Sequence, residues 1–110
     1  MTTRSALLVQ TNSTTVNATF LVFTAGPDEV VLWKHTDITP VSGTAKNAWW
    51  YITDPAGLNA AMLVKSVLGM AVDTVYSDDQ WRVIPPNGEV RLYQTVRCQM
   101  TMYGARLPYP

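Results

Sequence analysis

From Val90 to Met102 the apolar side chains keep to alternate positions. Val90, Leu92, Val96, Cys98, Met100 and Met102 are even, with Gln94 the one polar exception, whereas Arg91, Tyr93, Thr95, Arg97, Gln99, Thr101 and Tyr103 are odd. A period of two is the signature of a strand that turns one face to a core and the other to solvent or a neighbour. Similar short stretches rich in Val, Thr, Trp and Tyr recur along the chain, separated by Gly, Pro, Asn and Asp clusters about ten residues apart. They predict strands over 6–10, 16–23, 30–38, 48–53, 62–67, 70–76, 80–84, 90–94 and 95–103. Turns are predicted at Ala25-Gly26-Pro27-Asp28, Asp54-Pro55-Ala56-Gly57, Ser77-Asp78-Asp79 and Pro85-Pro86-Asn87-Gly88. The fold class that follows is all-β, an antiparallel β-sandwich of jelly-roll-like or Ig-like type.

Three segments modify this picture. Val30, Leu32 and Ile38 suggest a core face with Trp33, His35 and Asp37 opposite, a ragged alternation that places a Trp on the outer side. Residues 58–68, which include Ala60, Ala61, Met62, Leu63 and Lys65, are compatible with either a short helix or a strand, which Gly69 ends. The last residues, Leu107-Pro108-Tyr109-Pro110, must be extended, because proline restricts itself and the residue before it. The expectation is one domain over 1–110 with a short N-terminal arm and an extended C-terminal tail that clasp a neighbour.

A chain of 110 residues closes one core. Its hydrophobic share is 47% and its charged share 15%, below the roughly 25% usual for soluble domains, so apolar surface is left outside. Eight basic and eight acidic residues balance to a net charge of zero, which argues against nucleic acid and against a polybasic membrane anchor. The apolar run Ala6-Leu7-Leu8-Val9 is too short for a secretion signal or a membrane span. Synthesis in a cytoplasm is expected, and the sequons at Asn12 and Asn17 read as polar turns.

Candidate chemistry is sparse. A lone Cys98 excludes an intrachain disulfide, and with one His35 it supplies no structural zinc set. His35 and Asp37 alternate on one strand and read as a surface pair, Cys98 as a small buried hydrophobe, and Asp78 and Asp79 as diverging turn residues. No phosphate loop, Gly-x-Ser-x-Gly or His-Glu-x-x-His occurs, and no catalytic, cofactor or metal residues are assigned. The informative residues are aromatic. In a strand, Trp49-Trp50-Tyr51 must divide between two faces, and with Trp33, Trp81, Tyr93 and Tyr109 they form the candidate set for an interface or a ligand-stacking surface.

The order of these features resembles the small β-sandwich structural proteins of tailed-bacteriophage virions. The resemblance runs from Thr14-Thr15-Val16-Asn17-Ala18-Thr19 and Phe23-Thr24-Ala25-Gly26-Pro27 through Val30-Val31-Leu32-Trp33-Lys34-His35-Thr36-Asp37-Ile38 and Val41-Ser42-Gly43-Thr44-Ala45. It ends with Trp81-Arg82-Val83-Ile84-Pro85-Pro86-Asn87-Gly88-Glu89-Val90 and a last strand closing at Tyr103-Gly104-Ala105. The resemblance implies a non-enzymatic head-decoration or tail component, often trimeric, made in the host cytoplasm and located in the virion. Its partners would be copies of itself and a major capsid or tail protein. The alternative is a β-sandwich module that binds a surface glycan or receptor through exposed Trp and Tyr.

Overall fold

The structure, a computed structural model, describes residues 6–42, 46–53 and 62–109, with only the backbone of 62–64. The strands are β1 (Ala6–Thr11), β2 (Ala18–Thr24), β3 (Glu29–Pro40), β4 (Ala48–Thr53), β5 (Met62–Val67), β6 (Tyr76–Asp78), β7 (Arg82–Ile84), β8 (Glu89–Gln94) and β9 (Cys98–Pro108). They form two antiparallel sheets packed face to face. The first has the order β1-β9-β3-β6, with β7 also on β3, and the second β2-β8-β4-β5. The chain is an all-β antiparallel sandwich.

The core lies where the two inner faces meet. Val31, Trp33, Ile38, Cys98, Met100 and Met102 come from the first sheet and Phe23, Ala48, Trp50, Val90 and Leu92 from the second. The even positions of 90–102 are all buried, as their period predicts, and so is the exception Gln94. Its amide nitrogen donates to the carbonyls of Ser13 and Thr15 at 3.0 and 2.8 Å, and its Oε1 accepts from the Cys98 amide at 3.2 Å. One side chain thus satisfies the backbone of two crossovers between the sheets, β1 to β2 and β8 to β9. A buried amide is tolerated here because its groups are paired.

At the other end the predicted turns at 25–28 and 85–88 dock on each other. Ala25 donates to Gly88 O at 2.9 Å and Asn87 to Gly26 O at 3.2 Å, while Gly88 closes its own turn on Pro85 O at 2.9 Å. Asn87 takes a left-handed conformation, with φ 62°.

Sequence and structure differ where the alternation breaks. On β3 the pairing with β9 shifts between Trp33 and His35, leaving Lys34 as an extra residue. This bulge reverses parity. Val31 and Trp33 therefore share the inner face with Thr36 and Ile38, while Val30 and Leu32 are not part of the core and His35 and Asp37 stay outside. Similar shifts lie between Leu7 and Val9 on β1 and between Leu21 and Phe23 on β2.

The expected strand at 70–76 does not form. Gly69 and Asp73 have φ of 66° and 62°, which interrupts a pleat. The expected turn at 77–79 begins as strand β6 instead, with Ser77 opposite Asp37 and Asp78 opposite Thr36. Of the helix-or-strand segment 58–68, Met62–Val67 is strand β5, and 58–61 lie outside the described residues. The expected turn at 54–57, the arm at 1–5 and Pro110 also lie outside them. The tail is extended as proline requires, but it does not hang free. Leu107 and Pro108 pair with Val30 and Glu29, and the Tyr109 amide donates to Asp28 O at 2.9 Å.

Candidate functional site

The outward positions of the second sheet form ordered rows. Thr19 on β2, Tyr93 on β8, Trp49 on β4 and Ser66 on β5 are successive cross-strand partners, and the next row holds Leu21, Arg91 and Tyr51. Trp49 and Tyr93 stack with ring centroids 4.3 Å apart and planes at 12°. Such a pair adds about 0.5–1.5 kcal/mol beyond its burial and fixes two large side chains in one orientation. Each ring covers one face of the other. Leu21, 47% exposed, extends the apolar surface beyond Arg91. Arg91 is itself neutralised by Glu89 at 3.0 Å, and Thr53 Oγ1 donates to the same carboxylate oxygen at 3.4 Å. The face therefore presents rigid aromatic groups around one internally compensated ion pair.

The outer face of the first sheet is more polar. His35 lies opposite Tyr103, with ring centroids 5.9 Å apart, and Leu7 of β1 lies opposite Tyr103 on its other side. The imidazole is held between two carboxylates. Nε2 meets Asp37 Oδ1 at 2.8 Å, and Nδ1 makes a short contact with Asp79 Oδ1. Ser77 Oγ donates to the same Asp37 oxygen at 2.6 Å. The Asp79 hydrogen bond raises the His35 pKa above its ordinary 6.5; burial opposes it, and the hydrogen bond from Asp37 and the charges of both carboxylates add to the rise. Beyond this cluster Lys34 Nζ lies 4.7 Å from the centre of the Trp81 ring, which is 67% exposed.

The aromatic residues expected from sequence thus separate into four places. Trp33 and Trp50 are each 1% exposed and belong to the core, because parity on β3 and β4 turns them inward. Trp49, Tyr51 and Tyr93 share the second sheet's outer face. Trp81 lies just before β7 at the edge of the first sheet, and Tyr109 lies beyond the end of β9 beside Asp28. Asp78 and Asp79 diverge as expected, but neither is merely a solvated turn residue. Asp78 is buried against Arg82 at 2.7 Å, and Asp79 binds His35. That second contact spans 44 positions and leaves no local spacing for sequence reasoning to find.

Cys98 is fully buried, and burial pushes its thiol pKa up to about 11. The thiolate is the reactive form. A thiol reagent at neutral pH is therefore expected to leave native protein unmodified and to label it fully in denaturant; rapid labelling of the native chain would contradict this placement. Among the described residues no three His, Cys, Asp or Glu side chains are grouped to hold a metal ion. Comparisons with protein-family models, with curated proteins and with solved structures gave no match.

Proposed function

We propose that this chain is a non-enzymatic structural subunit of a bacteriophage virion, a head-decoration or tail component that works through homo-oligomeric and lattice contacts. The observation that carries the assembly part is the outer face of the second sheet, where Trp49 and Tyr93 stack beside Tyr51 and Leu21 around a neutralised Arg91. Aromatic anchors fixed before contact lose little conformational entropy when a partner covers them. Closed symmetry, with a trimer as the expected form, hides such a surface without leaving it to aggregate. The virion setting rests on the resemblance of the sequence features.

Light scattering on size-separated protein tests the assembly. The wild-type chain is expected near three times its 12.2 kDa mass, and the doubly substituted Trp49→Ser, Tyr93→Ser chain near a single mass with the same circular dichroism. A second reading is supported by the hydroxyls of Thr19 and Ser66 beside the ring pair, which suit a surface glycan. A wild-type monomer at high concentration whose Trp fluorescence responds to soluble oligosaccharides, and stops responding on Trp49→Ser, would replace the first reading with the second.

A further inference from the structure

We propose that His35 is a proton-controlled latch, which holds the segment between β6 and β7, and Trp81 with it, against β3 while the imidazole carries two protons and releases Asp79 when it loses one. This goes beyond the assembly reading and does not depend on it.

Both ring nitrogens of His35 face carboxylate oxygens, Nε2 that of Asp37 and Nδ1 that of Asp79. An ionised carboxylate only accepts, and a neutral imidazole has one N–H and one lone pair. Only the imidazolium can donate in both directions. Once it is deprotonated, one of the two contacts places a lone pair against a negative oxygen and must open.

Asp37 is the contact that stays. It lies two residues from His35 on β3 and is also held by Ser77 Oγ at 2.6 Å. Asp79 lies in the connection between β6 and β7 with its side chain 84% exposed, and His35 is its one hydrogen-bonding partner among the described residues. The two flanking strands are three residues each, and Arg82 braces the connection within itself by binding Asp78 and Gln80, so beyond the short ladders the side-chain ties from the connection to β3 are Asp79 to His35 and Trp81 to Lys34.

The other charged and titratable groups around the imidazole leave this logic intact. On β3, Lys34 is turned to the Trp81 ring. Asp78 of β6 and Arg82 of β7 pair with each other at 2.7 Å. From β9 the neighbour is Tyr103, and β1 contributes no charged residue within Ala6–Thr11. The sign follows from the raised His35 pKa. The latch contributes stability in full below the unfolded value near 6.5 and loses it as pH rises through the higher folded value.

His35 is the only histidine in the chain, so its ring proton resonance gives an unambiguous titration. The midpoint is expected above the ordinary histidine value. Asp79→Asn should lower the proton affinity of His35 by about two- to fivefold, the range of a solvent-screened ion pair. The Trp81 indole N–H, assigned by its loss in Trp81→Phe, should shift with the same midpoint in wild type and stay constant across that pH range in His35→Gln. Unchanged far-ultraviolet circular dichroism separates this from loss of the fold. A His35 midpoint at or below the ordinary value, or a Trp81 signal indifferent to the titration, would overturn the latch.

Discussion

Adding one methyl group at position 104 is expected to destabilise the protein by about 3 kcal/mol, the upper part of the range for overpacking a core. A Cβ at Gly104 would lie 2.0 Å from the Leu32 carbonyl oxygen and 3.0 Å from its carbon, so backbone and not a flexible side chain would have to move. The position cannot relax outward, because Gly104 is paired to Ala6 on one side and to Trp33 on the other, at the edge of the β3 bulge. The absence of a side chain is what allows β3 and β9 to approach there while Lys34 is accommodated as an extra residue. Gly26→Ala is the matched control. Its added Cβ would meet only the Glu29 side chain, at 3.4 to 3.5 Å, and should cost under about 1 kcal/mol. Urea midpoints of the two variants against wild type measure the difference, and equal losses would mean that the close approach at Gly104 is absent.

Leu92→Asp is expected to abolish folding. Leu92 is fully buried on β8, between Phe20 of β2 and Trp50 of β4. Truncating such a side chain costs about 2–5 kcal/mol, and burying an unpaired carboxylate adds several more. The sum reaches the whole stability of a domain of this size, roughly 5–15 kcal/mol. On the opposite face of the same strand, Arg91→Ala should cost the isolated subunit only about 1 kcal/mol or less, because Arg91 lies outside the core and Glu89 keeps its hydrogen bond from Thr53. Circular dichroism should show the Leu92 variant unfolded and the Arg91 variant like wild type. Equal losses would mean the faces of β8 are reversed.

These outcomes were legible in the sequence to different degrees. The alternation through 90–102 fixes two faces because β8 and β9 run without a bulge over their buried positions. The division of Trp49-Trp50-Tyr51 between faces needs only the pleat of one strand. On β3 the expected faces hold for His35, Asp37 and Ile38 but are reversed for Val30, Leu32 and Trp33, because a single extra residue at Lys34 reverses parity and nothing local marks a bulge. Gln94 stood out as an exception to its pattern, yet its role depends on carbonyls at Ser13 and Thr15, some eighty positions earlier in the chain. The same holds for the His35 cluster. The His35-Asp37 pair follows from strand alternation, whereas Asp79 and Ser77 reach it only because β6 pairs with β3.

The proposed contact surface is tested most directly by following the four tryptophan indole signals of the nitrogen-15-labelled chain through a dilution series. If the second sheet's outer face mediates assembly, the Trp49 signal shifts or broadens with concentration, in step with the mass from light scattering, while the core signals of Trp33 and Trp50 hold still. Four invariant signals with the mass of a single chain at every concentration, or a Trp81 signal that moves while Trp49 does not, would contradict it.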